Sequence, residues 1–372
     1  MFLALRELKF ARGRFLLMGS VVALIAVLSV LLSGMSSGLV RDGISGLRAL
    51  PATHFAFESG VTGDLFSRSV VQRPTWQGWA KVSGVKASTP YGNLLAHATS
   101  QRGDEVDLAL FGVEPGSFLA PQPKEGSALS AGSNGVLISQ KLLDAGIRVG
   151  DTLTVDRVGT KLQVVGTVGE ASFGHVGVVL APLTVWQEVH YGLPGTVPAT
   201  AYDQATAVAL QLAPGTDTAA AAADQQLGTH TITVVTSYAA SPGYTAETAT
   251  MTLIRLFLYL ISALVVGAFF TVWTVQRRHE IALVKALGGS SRYLLRDAAA
   301  QVLAVLVGAT VVGALVGVGL GALIGSGVPF SLEAGSVLAS CLLLVVLGLV
   351  GALGAVRRVT AVDPLIALGG NR

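Results

Sequence analysis

Four long runs of this chain contain no Asp, Glu, Lys or Arg: residues 15–40, 256–276, 298–332 and 334–356. A helix needs about 20 apolar residues to cross the hydrocarbon of a bilayer, and each run is long enough. Residues 41–254, between the first run and the second, hold 17 of the 22 acidic side chains. The pattern predicts an α-helical membrane protein with four transmembrane helices in a one-plus-three layout and a large extracellular mixed α+β domain between helices one and two. The expected spans are 15–40, 246–276, 298–326 and 334–356, with the polar domain at 41–245 and a short outer link at 327–333. Residues 1–14 and 357–372 flank the spans, and 277–297 joins the second to the third.

Inside the polar block the periodicity changes to short strands and short helices. Gly135–Ile138, Thr152–Val155, Leu162–Val168, Gly177–Leu180, Ala207–Leu212 and Thr231–Val235 are rich in β-branched or apolar residues and predict strands. Ser139–Ala145, with Ser139 as N-cap, Leu183–His190 and the alanine-rich Thr218–Leu227 predict helices. Residues 120–135 and 192–200 are rich in Pro, Gly and Ser and predict loops. Ahead of the first span, Phe2, Leu5 and Leu8 recur at threes among basic residues, the pattern of an amphipathic helix lying in the headgroup layer. In the third run, Gly313, Gly317, Gly321 and Gly325 stand at intervals of four and line one helical face with bare backbone, which predicts close helix–helix contact.

The charge distribution orients this layout. Thirteen of the 25 Lys and Arg residues lie at span ends: Arg6, Lys9, Arg12, Arg14, Arg255, Arg277, Arg278, Lys285, Arg292, Arg296, Arg357, Arg358 and Arg372. All but Arg255 fall on one side, so the positive-inside rule puts both termini and the 277–297 segment in the cytoplasm of a multi-pass plasma-membrane protein. Because every basic cluster hugs a span, these charges do not form a nucleic-acid surface. The first run, at about 26 residues, is too long for a signal-peptide core and reads as a retained anchor. A single cysteine, Cys341, excludes an intrachain disulfide and any Cys-based zinc site.

Several chemistries are missing. The sequence has no P-loop motif, no H-E-x-x-H and no G-x-S-x-G, so the chain is not read as an enzyme. No Asp, Glu, Lys or Arg interrupts the runs, which argues against a pump driven by intramembrane carboxylates. Energy for transport must come from a partner. The histidines, His54, His97, His175, His190, His230 and His279, are scattered, and none pairs at a metal-ligand spacing.

The 277–297 segment is an expected helical elbow. Ile281, Leu283, Val284 and Leu287 form an apolar face, basic residues its rim, and Gly288-Gly289 a helix stop. Such a shape suits docking into a groove on a cytoplasmic protein. With its segment R-R-x-E-I-x-L-x-K-A-L-G-G-S (Arg277–Ser290) and the closing R-R-V-T-A-V-D-P-L-I-A-L (Arg357–Leu368), the chain resembles permeases of the MacB/FtsX-like ABC transporter superfamily. That resemblance implies a coupling helix seated on an ATP-hydrolysing subunit, with Arg278, Glu280, Ile281, Leu283, Lys285, Leu287 and Gly288 as contact residues. It also implies two permease copies paired with two ATPase copies.

Within the superfamily the chain looks most like the haem-exporting, HrtB-type permeases of Gram-positive bacteria, on Gly243-Tyr244-Thr245-Ala246-Glu247, Ala268-Phe269-Phe270, the S-G-M-S-S-G-L exit from span one and the terminal D-P-L-I-A-L-G-G. Haem is then the expected cargo, with no permanently bound cofactor and ATP held by the partner. Haem iron accepts oxygen ligands such as a phenolate, and Tyr244 and Glu247 stand three apart at the outer membrane boundary. Met251 and Met35 are candidates to line an apolar slot, Arg255 is a candidate to meet a propionate, and His175, in the Ser172–Val176 loop, is a further candidate contact. Tyr244 as an interfacial belt residue and Glu247 as an acid favoured by the helix dipole are the alternatives. Rival functions are export of another amphipathic cargo (peptide, antibiotic or lipoprotein), FtsX-like regulation of a cell-wall hydrolase, and an adhesin with no ATPase.

Overall fold

The computed structural model describes residues 12–192, 196–276, 290–324 and 328–360. The chain divides into two compact units, Leu39–Glu247 and a second one from Met1–Gly38 with Thr248–Arg372. The described helices are α1 (Arg12–Ala49), α2 (Leu65–Arg68), α3 (Arg73–Trp79), α4 (Gln140–Asp144), α5 (Leu183–Tyr191), α6 (Asp217–Leu227), α7 (Val234–Ser237), α8 (Tyr244–Gln276), α9 (Ser291–Ala322) and α10 (Ala334–Thr360). The strands begin with β1 (His54–Glu58), β2 (Val71–Gln72), β3 (Val85–Ser100), β4 (Glu105–Val113), β5 (Glu125–Gly126), β6 (Gly135–Ile138) and β7 (Thr152–Val155). They continue with β8 (Lys161–Thr167), β9 (Ser172–Phe173), β10 (Val176–Pro182), β11 (Gln204–Ala205), β12 (Ala207–Leu212) and β13 (Thr229–Thr233).

The polar unit is mixed α+β. Its main sheet has eleven strands, with β13-β1-β12-β3-β4-β10-β6-β8-β5 as the main path. The first four are antiparallel neighbours. With α3 and α6 they form a βαββαβ unit whose second and third strands are separated by an insertion, residues 92–206. Alternation along β1 separates two cores: Phe55 and Phe57 enter an aromatic cluster with Phe66, Tyr91, Phe111 and Phe173, while Ala56 faces Trp76, Trp79, Ala220 and Ala223 of α3 and α6. Phe66 sits at the centre of the aromatic cluster, edge-on to Phe55, Phe57 and Phe173 at 5.6, 5.1 and 5.5 Å. Strand β3 pairs with β12 up to Tyr91 and with β4 from Tyr91 onward, and its end, Ala98–Ser100, also pairs with β7. The insertion has its own core of Val136, Ile138, Leu153, Val164, Val179 and Trp186.

The expected strands and helices of this block are present, with two local corrections. Ser139 does not cap α4 with its side chain: its hydroxyl is buried without a hydrogen-bond partner, and the turn closes through its carbonyl, which accepts from Leu142 N–H at 3.0 Å. Ser139 follows β6 directly and is fully buried. The strand expected at Thr231–Val235 begins at Thr229 and ends at Thr233, whose hydroxyl accepts from Thr236 N–H and caps α7. Strands β1 and β4 carry no clean alternation in sequence because they are buried on both faces over most of their length, as β3 is over Thr89–Asn93.

Among the described residues, four helices are long and apolar enough to cross a membrane. Their bounds differ from the apolar runs. Helix α1 continues past Val40 to Ala49, α8 starts at Tyr244, α9 covers Ser291–Ala322 in place of 298–326, and α10 extends to Thr360. Apolar runs report the thickness of the hydrocarbon, whereas helix ends follow hydrogen bonding and caps, which polar residues do not interrupt. The glycine face of α9 packs within the chain. A Cβ at Gly313 would enter the carbonyl of Ala23, one at Gly317 would lie 3.0 Å from Val30 Cβ, and one at Gly321 would lie 2.7 Å from Phe330. Gly351 of α10 stands equally close to Ala263 of α8. Gly325 and the 277–289 stretch, including Arg278, Glu280, Ile281, Leu283, Lys285, Leu287 and Gly288, lie outside the described residues, as do Phe2, Leu5 and Leu8.

Candidate functional site

The β9–β10 hairpin turns through two residues, Gly174 and His175, which both have positive φ, +56° and +67°. A two-residue hairpin loop of type I′ demands this at both central positions and normally recruits Gly or Asn. His175 is the one non-glycine residue with positive φ among those described. A left-handed conformation costs an L-residue roughly 1–2 kcal/mol, so the turn is held by its surroundings. Gly174 N–H donates to Gly43 O at 3.0 Å, Ser172 N–H donates to Ser45 Oγ at 2.9 Å, and Ser241 Oγ donates to Gly43 O at 3.1 Å. The first two bonds tie the hairpin to the last turns of α1, and the third ties the approach of α8 to the same Gly43 carbonyl.

The imidazole so placed sits between two carboxylates. His175 Nε2 lies 2.9 Å from Glu247 Oε1, and Nδ1 lies 3.4 Å from Asp42 Oδ2. Lys141 Nζ, on α4, donates to Asp42 Oδ1 at 2.5 Å and to His175 O at 2.7 Å. One lysine, one histidine and two acids thus form a network. The His175 and Glu247 side chains are 32% and 33% exposed, so the pair is reachable from solvent. Glu247 occupies the first turn of α8, where an acid is favoured by the helix dipole, and its N–H donates to Gly243 O at 2.9 Å. Gly243 has φ +78°, which favours glycine, and a Cβ there would lie 2.8 Å from Glu247 Oε1 and displace that carboxylate. Tyr244 packs near Tyr238, ring centroids 6.4 Å apart. Leu95, 43% exposed, lies beside Gly174, as does Pro242, and together they give the charged network an apolar border.

Of the residues singled out in sequence, His175, Tyr244 and Glu247 fall in the polar unit, and His175 and Glu247 touch. Met35, Met251 and Arg255 belong to the other unit. Met251 and Arg255 continue the row of Tyr244 and Glu247 along α8 at steps of three and four residues, the spacing of one helical face. The Arg255 Nε is buried with no hydrogen-bond partner. Sequence reading missed Asp42, Lys141, Gly243 as a steric requirement, and Leu95. Asp42 follows the first apolar run directly, a usable signal; Lys141 and Leu95 have none, because only the fold brings them to the hairpin.

Two other histidines sit in defined settings. His190 stacks on Trp186 at 4.9 Å and 13°, and its Nδ1 is buried without a hydrogen-bond partner; burial, then the nearby Arg157, lowers its pKa. His97 is exposed, with Nδ1 2.8 Å from Asp107 Oδ1, and that hydrogen bond raises its pKa.

The fold, with one helix, a polar α+β unit and three further helices, defines a membrane permease subunit of ABC-transporter type. The model of the MacB-like periplasmic core domain matches residues 15–226, and that of the FtsX-like permease C-terminal region matches residues 252–364. The chain therefore belongs to the MacB/FtsX-like family of ABC transporter permeases. It is 26% identical over 373 residues to the "Putative hemin transport system permease protein HrtB" of Staphylococcus haemolyticus (strain JCSC1435), covering 99% of each chain. An uncharacterized ABC transporter permease of Mycobacterium tuberculosis (strain ATCC 25618 / H37Rv) is 24% identical over 373 residues, covering 100% of this chain and 99% of that one. The solved periplasmic region of MacB from Actinobacillus actinomycetemcomitans aligns at 14% identity and a TM-score of 0.38, covering 51% of this chain and 92% of the other.

Proposed function

We propose that this permease exports haem from the plasma membrane, fuelled by a separate cytoplasmic ATPase, as a pair of permeases on a pair of ATPases. The observation that carries the reading is the end-to-end similarity to a relative named for hemin transport, joined by a carboxylate, Glu247, that His175 contacts in the first turn of α8, the helix that Tyr244 opens. Both termini and the 277–297 elbow face the cytoplasm, and the 39–247 unit faces outward, as the basic residues at span ends favour.

Haem is a flat apolar ring with a polar metal and two acid tails, so it resides in the bilayer and is collected there. Tyr244 phenolate and the Glu247 carboxylate are oxygen donors suited to ferric iron. Arg255, four residues past Met251 on the same helix, suits a propionate, and Met35 and Met251 suit the ring. ATP binding on the partner closes the elbows, changes the splay of α1 and α8, and releases the cargo outward. The permease makes and breaks no covalent bond; ATP hydrolysis belongs to the partner.

The test is an absorbance titration of the purified full-length permease with haemin. A saturable Soret shift is expected, weakened about tenfold or more in Y244F and E247Q. No shift, or a shift both variants leave intact, overturns the haem reading. The FtsX-like regulator shares the same membrane half, so the match at residues 252–364 does not separate it. Haemin sensitivity of a deletion strain, as opposed to chained or swollen cells, does.

A further inference from the structure

We infer that His175 is a clasp: in the state seen here it occupies Glu247, and cargo reaches that carboxylate only after the imidazole lets go. The second half of this inference rests on Glu247 being a cargo contact; the first half stands on geometry alone.

Both ring nitrogens of His175 face a partner, and its backbone is held as well. Nε2 takes Glu247, Nδ1 faces Asp42, and the backbone carbonyl accepts Lys141 Nζ. The two acids come from the two helices that enter and leave this unit, Asp42 from the last turns of α1 and Glu247 from the first turn of α8. One ring therefore ties the ends of two helices that lie far apart in sequence. The tie is built at a cost, because His175 holds a left-handed backbone that its turn would more readily give to Gly or Asn. A residue kept in a sparsely populated conformation by its neighbours is poised to relax when one neighbour is withdrawn. Glu247 has the complementary constraint: Gly243 leaves its carboxylate just enough room to reach the ring. An iron or other Lewis-acidic cargo atom that takes Glu247 Oε1, or both carboxylate oxygens, must displace Nε2. The consequence is an apparent affinity reduced by the fraction of molecules in which the clasp is open.

The alternative is that His175 is itself an iron ligand, and the two roles have opposite signatures. The variant of choice is H175N, since Asn tolerates the left-handed turn while its shorter side chain leaves Glu247 free. D42N, which keeps the imidazole and loosens its other anchor, is the second variant. Two measurements are made on the full-length permease in lipid nanodiscs. Amide hydrogen exchange over residues 241–250, without cargo, is expected to quicken about tenfold in H175N and less in D42N. Haemin titration is expected to give a dissociation constant about tenfold lower in H175N, the factor expected if a tenth of wild-type molecules are open. Unchanged exchange in both variants overturns the clasp. Weaker haemin binding with an altered Soret band in H175N also overturns it, in favour of direct ligation. Faster exchange with no haemin binding by any form, wild type included, supports the clasp and removes haem as the cargo.

Discussion

Replacing Gly243 by Ala tests the geometry at the head of α8 most directly. At φ +78° any side chain carries a backbone penalty, about 1–2 kcal/mol for a non-glycine residue in the left-handed region. The added Cβ would also stand 2.8 Å from Glu247 Oε1 and 3.5 Å from its Cδ. Because those atoms are the flexible end of a side chain, the carboxylate moves, and it moves off His175 Nε2, now 2.9 Å away. A charge-assisted hydrogen bond contributes about 1.5–3 kcal/mol; this half-buried one is taken at about 1 kcal/mol. The sum is about 2–3 kcal/mol. Gly60→Ala is the control: its φ is +82°, but nothing lies within 4 Å of the added Cβ, so it carries the backbone penalty alone. Three of the four tryptophans, Trp76, Trp79 and Trp186, report on this unit, so thermal unfolding is followed by intrinsic fluorescence. For a unit of this size each kcal/mol shifts Tm by about 2–4 °C. Gly243→Ala should fall about 2–4 °C further than Gly60→Ala. Equal shifts in the two variants would refute the claim that Gly243 makes room for the Glu247 carboxylate.

Gly313→Ala drives a methyl into the Ala23 carbonyl and should destabilise the detergent-purified protein by about 1–3 kcal/mol. Gly308→Ala, with open space around it, should be neutral or stabilising; equal effects of the two would contradict close packing of α1 on α9. For His190 the folded pKa lies below the unfolded value of about 6.5. Its contribution to stability is therefore present above pH 6.5 and lost as pH falls through the folded value. Unfolding temperatures measured from pH 7.5 to 5 should drop less in H190Q than in wild type, and an identical slope would count against a buried neutral His190. Finally, Glu280→Lys with Leu283→Lys should abolish co-purification of a Walker-motif ATPase from native membranes. Undiminished recovery would place the coupling contact elsewhere.

Much of the architecture was legible from composition because the bilayer allows few solutions. A segment in hydrocarbon must satisfy its own backbone, so a charge-free run of sufficient length is a helix. The ends were not legible: Arg41, Asp42 and Arg48 continue α1 beyond its apolar run, since a helix tolerates charges that a membrane does not. In the polar unit, strands such as Ala207–Leu212 announced themselves by β-branched and apolar runs, yet β3 did not, because its Thr89–Asn93 stretch is buried on both faces and successive parts of it serve different neighbours.

The candidate site divides in the same way. Local spacing placed Tyr244, Glu247, Met251 and Arg255 on one face of α8, for a helix repeats every 3.6 residues whatever surrounds it. His175 stood in the sequence as an isolated histidine, and Lys141 and Asp42 as ordinary charges. What joined them was the closing of contacts across 72, 34 and 133 residues of chain. Periodicity is a property of neighbours in sequence and survives without the fold. The pairing of an imidazole with two distant carboxylates exists only once the sheet has brought its hairpin to the ends of two helices.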